Sequence, residues 1–243
     1  MRLIRVHVAA PLAPGARVRL PHDAAAHVTR VLRLGAGDSL TLFNGDGADY
    51  PARISALVRG AVEAEVTGRA DARAESPLPV TLVQGIARAE RMDFVLQKAT
   101  ELGVAAVVPV AAARSVVRLD AGSRGRKLEH WRGIAIAACE QCGRARVPEV
   151  ATPRTLGEFL AEPARARMRI LLAPGADLSL GTAARGAESV ELLVGPEGGL
   201  EDGERRAALA AGFLACRLGP RVLRSETAAI AAIAVLQAAA GDL

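Results

Sequence analysis

The chain has 243 residues, of which 51% are hydrophobic and 23% charged, so it holds ample apolar material for one or two packed cores and is not an unfolded chain. No apolar run reaches the roughly 20 residues of a membrane-spanning helix, because charged residues interrupt the hydrophobic stretches and the Ala-rich C-terminal stretch is too short. Three cysteines, an odd number, and a short, broken N-terminal apolar run predict a cytoplasmic protein without a signal peptide or a disulfide scaffold, and the net charge is +5.

Arginine carries almost all of the positive charge, since only Lys98 and Lys127 are lysines. Arginine suits planar, bidentate contacts to phosphate, although a GC-rich genome would produce the same bias. Between Arg114 and Arg146, eight basic residues stand against three acidic ones, which predicts a basic surface for a polyanionic partner. The few aromatic residues are dispersed, which argues against an RNA-binding sheet that stacks several bases.

The N-terminal residues 1–70 alternate short β-like runs with turn signals. Strands are predicted in RLIRVHV, ARVRL, DSLTLF, ADYPARISALV and AVEAEVTG, and the NGDG after TLF predicts a hairpin turn. The run DAAAHVTRVLRLGAG predicts a short helix that is capped by Asp23 and stopped by Gly35. These residues predict a small β-barrel of the PUA or OB kind, and the polar RADARAESPLP that follows predicts a linker.

Residues 76–243 change to apolar strands separated by helices. Strands are predicted in PVTLVQGI, AAVVPVAA, RMRILLAPG, VELLV and CRLG, and helices in RMDFVLQKATELG, KLEHWRGIAIAACEQCG, EDGERRAALAAG and SETAAIAAIAVLQAAA. Near-continuous apolar strands that alternate with helices predict a parallel sheet covered on both faces. The prediction is therefore two domains, a β module followed by an α/β domain.

Two loops collect glycine, proline and charge where apolar strands end, which is where ligands bind in α/β sheets: LLVGPEGGLEDGE and RLGPRVLRSETA. Glycine leaves backbone amides open to a ligand, although tight turns alone would also require it. Because each loop follows a strand and precedes a helix, we expect the two loops to lie side by side. The first loop matches neither GxxxxGK[ST] nor GxGxxG, and its proline and glutamate favour a neutral or cationic ligand over a polyphosphate.

Cys139 and Cys142 form a CxxC motif, for which a metal site is one interpretation. The chain has no second CxxC, and the nearest histidine, His130, lies nine residues upstream on the same predicted helix. The pair also lies late in that helix, whereas a redox pair lies at a helix start. We therefore predict no metal.

Several motifs together resemble one family. They are LLVGPEGGL, LGPRVLRSETA, QKATELGV followed by P and ARS, IAIAACEQCGRARVPEV, and the N-terminal HVTRVLRLGAGD. They resemble the SPOUT methyltransferases that transfer a methyl group from S-adenosylmethionine to N3 of a uridine in 16S ribosomal RNA, and the match spans most of the chain. The resemblance implies a PUA-like small β-barrel, a SPOUT α/β domain with a C-terminal trefoil knot, and a homodimer whose active sites are each completed near the partner chain.

The resemblance also implies that the two loops bind the cofactor and hold it in a bent conformation. The residues implied to contact S-adenosylmethionine are Gly195, Pro196, Glu197, Gly198, Gly199, Leu218, Gly219, Val222, Leu223, Arg224 and Ser225, with Leu172 closing the pocket. Because a sulfonium is a cation, the carboxylates of Glu197 and Glu226 are compatible with it.

Uracil N3 carries a proton at neutral pH, so its methylation needs a base, or cations that stabilise the anion on O2 and O4. We expect Arg114 and Arg224 to stabilise that anion and Glu226 to act in catalysis or positioning. Other interpretations remain open. The arginines would pair with carboxylates such as Glu101 or Glu226, and Glu226 would favour the dipole of a helix capped by Ser225.

We expect RNA contacts from both domains. The candidate residues are Arg2, Arg5, His27, Arg30, Arg33, Arg88, Arg91, Arg144 and Arg146. Arg30 and Arg33 are three apart, on one face of the predicted helix, and Arg88 and Arg91 stand in GIARAERMD where the family commonly has the lysines of GIxKGDKME. Solvated surface arginines would give the same pattern.

Two other functions fit the sequence. One is a non-catalytic RNA-binding ribosome-assembly factor with a vestigial cofactor pocket, against which the intact Gly195, Gly198, Gly199 and Arg224 argue. The other is a related methyltransferase that acts on a ribose 2′-OH or on tRNA. Binding of S-adenosylmethionine tests the first alternative, and the identity of the methylated nucleotide tests the second.

Overall fold

A computed structural model describes residues 4–58, 60–72, 74–115 and 121–243 of the chain. The chain divides into two compact units. The first contains the residues up to Glu75 together with Cys139–Val147, and the second contains Ser76–Ala138 and Pro148–Leu243. The sequence analysis kept residues 139–147 with the α/β domain, so their membership of the first unit was not expected.

Six strands form one sheet among the described residues of the first unit. They are β1 Arg5–His7, β2 Arg17–Arg19, β3 Ser39–Phe43, β4 Ala48–Val58, β5 Ala61–Val66 and β6 Ala70–Asp71. Their order is β1-β3-β4-β5-β2 with β6 on β4; β1 and β3 run parallel and the other pairs antiparallel. Buried and outward-facing residues alternate along most of β4, which directs one side of the strand into the core. The strands predicted for this region are confirmed.

The NGDG segment forms the predicted turn. It joins β3 to β4, which pair antiparallel with Leu42 opposite Tyr50. Gly45 and Gly47 have φ values of +93° and +91°, a backbone region in which glycine is strongly favoured.

The helix of the first unit differs from the prediction at both ends. It begins as α1, His22–Ala26, after Pro21, so Asp23 lies inside the first turn and is not the cap. It continues as a π-helical turn over His27–Val31, and Arg33 then has φ +56°, which ends the helix before Gly35 is reached. Arg33 therefore lies beyond the helix, and the prediction that it shares a helical face with Arg30 is wrong.

The described residues of the second unit form an all-parallel sheet. Its strands are β7 Val80–Gly85, β8 Ala106–Ala111, β9 Glu149–Val150, β10 Arg154–Thr155, β11 Met168–Leu172, β12 Leu178–Ser179, β13 Val190–Val194 and β14 Leu214–Arg217. Their order is β10-β8-β7-β13-β11-β14-β12, with β9 also on β8. The central strands β7 and β13 are buried along nearly their whole length, as expected for a sheet with helices on both faces. The predicted parallel sheet is confirmed.

The helices of this part are α2 Ala89–Glu101, α3 Ala121–Cys142, α4 Leu156–Leu160, α5 Leu180–Ala183, α6 Asp202–Ala210 and α7 Ser225–Ala240. The sequence predicted α2, α3, α6 and α7 but not the short α4 and α5. Thr155 is the N-cap of α4 and forms a capping box with Glu158. At the start of α5, the Ser179 hydroxyl accepts a hydrogen bond from the backbone N–H of Thr182. Within the described ranges, every helix is too short or too polar to cross a membrane.

Candidate functional site

The two loops singled out in the sequence lie next to each other in the second unit. We name them the β13 loop, residues 195–201, and the β14 loop, residues 218–224; their strands flank β11. The Ser225 hydroxyl donates a hydrogen bond of 2.6 Å to the carbonyl oxygen of Gly195. The side-chain amide of Gln84, which is fully buried at the end of β7, donates to the same hydroxyl at 3.0 Å. The prediction that the loops lie side by side is confirmed.

Glycine allows the β13 loop to pack closely against its neighbours. A Cβ atom on Gly85 would lie 2.3 Å from the backbone nitrogen of Pro196, and a Cβ atom on Gly198 would lie 2.8 Å from the Cβ of Arg114. Gly199 has φ +69°, which also favours glycine. The packing of the loop therefore accounts for part of its glycine content.

The two loops and the end of β11 surround a cleft of about 320 Å³. All the predicted cofactor-contacting residues except Gly198 line it: Leu172, Gly195, Pro196, Glu197, Gly199, Leu218, Gly219, Val222, Leu223, Arg224 and Ser225. Arg221, within the predicted β14 loop, and Arg205, which was not predicted, also line the cleft. The cleft thus combines apolar surface with charges of both signs.

Two carboxylates and one guanidinium meet beside this cleft. The carboxylate of Glu197 accepts from the backbone N–H of Arg88 at 3.0 Å and lies 3.5 Å from Nη1 of Arg91. The Nε of Arg91 lies 3.8 Å from Oε1 of Glu226. The Oε2 atoms of Glu197 and Glu226 are both buried and have no hydrogen-bond partner in the described part of the chain. Two buried acceptors therefore stand ready for a donor or a cation.

Arg91 was predicted to contact RNA, and the structure also gives its side chain two carboxylate partners. Its side chain is about one-third exposed, lines the cleft and pairs with two carboxylates. Opposite charges in a partly buried site hold such a side chain in place. Arg91 is therefore a component of the cleft, whereas the Arg88 side chain is exposed at the start of α2.

Arg114 follows β8 and touches the β13 loop. Its Nη1 donates to the carbonyl oxygen of Gly198 at 3.3 Å, and its Nε lies 3.9 Å from Oε1 of Glu201. Glu101, the partner considered from the sequence, instead accepts from Lys98 at 2.8 Å. The Arg114 side chain is 55% exposed, and its guanidinium keeps donors beside the loop that have no partner among the described residues.

Arg224 is exposed at the start of α7 and forms no ion pair with any residue in the described ranges. The sequence offered pairing with Glu226 as its alternative role, and the ion pair of Glu226 is made with Arg91 instead. Glu226 lies in the first turn of α7, where a negative charge is favoured by the helix dipole.

Two of the predicted RNA-binding arginines are buried in the first unit. Arg5 pairs with Asp49 at 2.7 Å and donates to the carbonyl oxygen of Arg144 at 3.0 Å. Arg144 pairs with Glu75 at 2.9 Å, and its side chain is 5% exposed. The prediction that Arg5 and Arg144 belong to an exposed RNA-binding surface is wrong, because both guanidinium groups are held inside the unit by carboxylates.

The remaining candidates in the first unit are exposed. They are His27, Arg30, Arg33 and Arg146, whereas Arg2 lies outside the described residues. Arg30 lines a cleft of about 440 Å³ together with Arg19, His22 and Gly60. The sequence analysis missed Arg19 and His22, which the chain fold brings together from β2 and α1.

The first cysteine of the CxxC motif, Cys139, is a buried residue. This burial raises the pKa of its thiol to about 12, so the thiolate is disfavoured. All three cysteines are free thiols. Among the described residues, no group of three or more His, Cys, Asp or Glu side chains is arranged to hold a metal ion.

Family models match both parts of the chain. The model for an RNA methyltransferase PUA domain matches residues 20–67, and the model for an RNA methyltransferase domain matches residues 74–237.

Curated relatives carry one name, ribosomal RNA small subunit methyltransferase E. The protein of that name from Buchnera aphidicola (Schizaphis graminum) is 32% identical over 89% of this chain and 88% of its own length. The one from Mycobacterium bovis is 35% identical over 90% of this chain and 85% of its own length.

Solved structures are similar to this chain over its whole length. A methyltransferase from Legionella pneumophila in complex with the cofactor S-adenosylmethionine superposes with a TM-score of 0.94 at 40% identity and covers 100% of both chains. The ribosomal RNA small subunit methyltransferase E of Neisseria gonorrhoeae, bound to S-adenosylmethionine, gives a TM-score of 0.91 at 37% identity and covers 99% of both chains.

Proposed function

We propose a specific reaction for this chain, which belongs to the ribosomal RNA small subunit methyltransferase E family of RNA methyltransferases. The reaction is transfer of a methyl group from S-adenosylmethionine to N3 of a uridine in 16S ribosomal RNA. The observation that carries the proposal is the cleft between the β13 and β14 loops. Its lining includes all the residues that the family resemblance assigned to the cofactor, apart from Gly198.

The chemistry of the cleft fits this cofactor. S-adenosylmethionine combines a sulfonium, an α-amino acid group and an adenosine, and when bound it supplies an electrophilic methyl group. The Oε2 atom of Glu197, which has no partner in the described part of the chain, suits its positive groups, and the arginines that line the cleft suit its carboxylate. Leu172, Leu218 and Leu223 offer apolar surface for the adenine.

We assign the handling of charge on the uracil to Arg114 and Arg224. When N3 loses its proton, negative charge develops on O2 and O4, and preorganised donors lower the free energy of that state. Arg114 is fixed to the β13 loop through the Gly198 carbonyl oxygen and retains free donors. Arg224 is exposed at the cleft without a carboxylate partner in the described part of the chain.

We assign the acceptance of the N3 proton to Glu226. Its Oε2 atom is buried and partnerless among the described residues, while its Oε1 atom faces Arg91. A carboxylate held on one oxygen keeps the other in a defined direction, which general base catalysis requires. Arg91 is a positioning residue in this scheme, because it acts through the two carboxylates.

The exposed arginines and histidines supply the RNA-binding surface of the proposal. In the first unit these are Arg19, His22, His27, Arg30, Arg33 and Arg146, and in the second unit Arg88. Such contacts to phosphates give affinity and register, while the shape of the site and the flipped base give selectivity.

The family resemblance supports two further proposals. The segment that contains the β13 and β14 loops is threaded as a trefoil knot, and the chain acts as a homodimer whose sites are completed near the partner. Light scattering of the purified protein tests the dimer, since a monomeric mass under assay conditions would contradict it.

Calorimetry with S-adenosylmethionine and mass spectrometry of the RNA product test the function. Small ribosomal subunits from a strain that lacks the gene should gain one methyl group on the base of one uridine when incubated with the protein and the cofactor. A methyl group on a ribose or on tRNA would favour a related methyltransferase. Absence of cofactor binding would favour a non-catalytic assembly factor.

A further inference from the structure

A second cavity in the second unit is not used by the reaction described above. It has a volume of about 360 Å³, within the range of small-molecule sites. Ile86, Ala87 and Ala89 line it from the β7 end and α2, and Trp131 lines it from α3. The polar part of its lining comprises Asp93, Ser123, Arg126, Lys127 and His130.

This cavity and the methyltransferase cleft lie on two sides of the first turn of α2. Ala89 and Asp93 are four residues apart and line the cavity, whereas Arg91 lines the cleft and the backbone N–H of Arg88 contacts Glu197. A ligand in the cavity would therefore be separated from the cleft by one helical turn.

The cavity has one buried acceptor without a partner. The Oδ2 atom of Asp93 lies 2.9 Å from Nε2 of His130, which fixes the carboxylate. Its Oδ1 atom is buried and has no hydrogen-bond partner in the described part of the chain. Since buried acceptors are normally paired, this atom is suited to an N–H donor of a ligand.

The cavity also has two cations that have no partner among the described residues. Neither Arg126 nor Lys127 forms an ion pair or hydrogen bond with a described residue, although the nearby arginine Arg132 pairs with Glu129 on the same helix. The carboxylate of Asp93 bonds to His130 and to neither of these two cations. The cavity therefore offers positive charge to an anion next to an apolar wall.

We propose that this cavity binds a single nucleotide of the RNA substrate, next to the nucleotide that is methylated. The base lies against Ile86, Ala87 and Trp131 and donates an N–H to Oδ1 of Asp93, and the phosphate lies against Arg126 and Lys127. This proposal rests on the proposed function, since it names a second contact of the same substrate. The same chemistry would accept a free nucleoside monophosphate.

Tryptophan fluorescence gives a direct test, because Trp131 is the only tryptophan of the chain. Titration with UMP should change its emission, and uridine, which lacks the phosphate, should bind about tenfold more weakly. If a 16S RNA oligonucleotide changes the emission and UMP does not, the site needs a tethered nucleotide. That outcome still supports the proposal. No change with UMP or with the oligonucleotide would overturn it.

Variants separate this site from the methyltransferase cleft. Arg126→Ala and Lys127→Ala should each raise the Kd for the RNA about tenfold, as expected for one lost charge-assisted contact. Arg132→Ala removes the same charge from α3 outside the cavity and serves as the matched control. Ala89→Leu should abolish the UMP response by filling the cavity without changing its charge.

Calorimetry with S-adenosylmethionine on the same variants distinguishes a failure of the nucleotide site from a failure of the proposed function. The cofactor Kd should stay within twofold of wild type for all of them. If wild type methylates the RNA while Arg126→Ala, Lys127→Ala and Arg132→Ala weaken RNA binding equally, the nucleotide site is wrong and the proposed function stands. If wild type neither binds the cofactor nor methylates the RNA, the proposed function itself fails.

Discussion

The arginines around the cleft of the second unit differ from the buried arginines of the first unit in what they contact. Arg205, Arg221 and Arg224 are exposed around a ligand-sized space, whereas Arg5 and Arg144 are enclosed by carboxylates and carbonyl groups. In the sequence all five look alike. Charge alone therefore does not tell a ligand-binding arginine from a structural one, while for Arg221 and Arg224 a position in the loop after a parallel strand is the more informative signal.

Replacing Arg144 and Arg146 separately tests this distinction most strongly. Arg144→Ala removes the partner of Glu75 and should lower the free energy of unfolding by about 3 kcal/mol, the cost of breaking a buried ion pair. Arg146→Ala should change it by no more than about 0.5 kcal/mol and instead weaken RNA binding. Urea unfolding and RNA titration measure the two effects, and equal losses of stability would contradict the distinction.

Arg114→Ala examines an exposed arginine beside the cleft. We expect methyl transfer to fall about 100-fold, the usual effect of removing one donor to a developing anion. The Kd for S-adenosylmethionine should remain nearly unchanged, because the contact of Arg114 is with the Gly198 carbonyl oxygen. Single-turnover rates and calorimetry give the two numbers. A parallel loss of turnover and cofactor affinity would assign Arg114 a structural role.

Gly85→Ala tests whether the close packing under the β13 loop maintains the cleft. The new methyl group would lie 2.3 Å from the nitrogen of Pro196, so the loop must move. We expect a loss of about 2 kcal/mol in unfolding free energy and a cofactor Kd raised about tenfold. Gly203→Ala is the control, since its methyl group meets nothing within 4 Å. Similar behaviour of the two variants would refute the role of Gly85.

Thiol labelling compares a buried cysteine with a partly exposed one. We expect it to have the smallest effect on the protein. Cys139 has a pKa of about 12 because it is buried, whereas Cys142 is partly exposed. At pH 8, iodoacetamide should modify Cys142 well before Cys139, as mass spectrometry of the peptides would show. Faster modification of Cys139 would mean that it is accessible in solution.

Periodicity was sufficient to predict the parallel sheet and the long helices, because burial on both faces leaves a continuous apolar pattern in the strands, and glycine, proline and charge at strand ends predicted the two loops. The helix of the first unit was also predicted, but the residues at which it begins and ends were not. The π-helical turn over His27–Val31 and the left-handed backbone of Arg33 depend on local geometry that residue type does not specify.

The parts of the site that escaped prediction depend on contacts between distant segments. Gly85 reads as the end of a strand, and only the pairing of β7 with β13 brings it against Pro196. Arg91 reads as a surface cation on a helix, and its two carboxylates come from the β13 loop and from the first turn of α7, each more than a hundred residues later in the chain. The placement of residues 139–147 in the first unit likewise follows from the bonds of Glu140 and Arg144 to His7, Arg5 and Glu75.

The sheet order of the second unit has a consequence for synthesis of the chain. β13 lies between β7 and β11, and Val80 pairs with Val190. On the ribosome, the middle of this sheet cannot close until most of the polypeptide has been translated, and such non-local pairing is slow. The edges of β7 and β11 that face β13 therefore stay unpaired in the nascent chain until β13 has been synthesised.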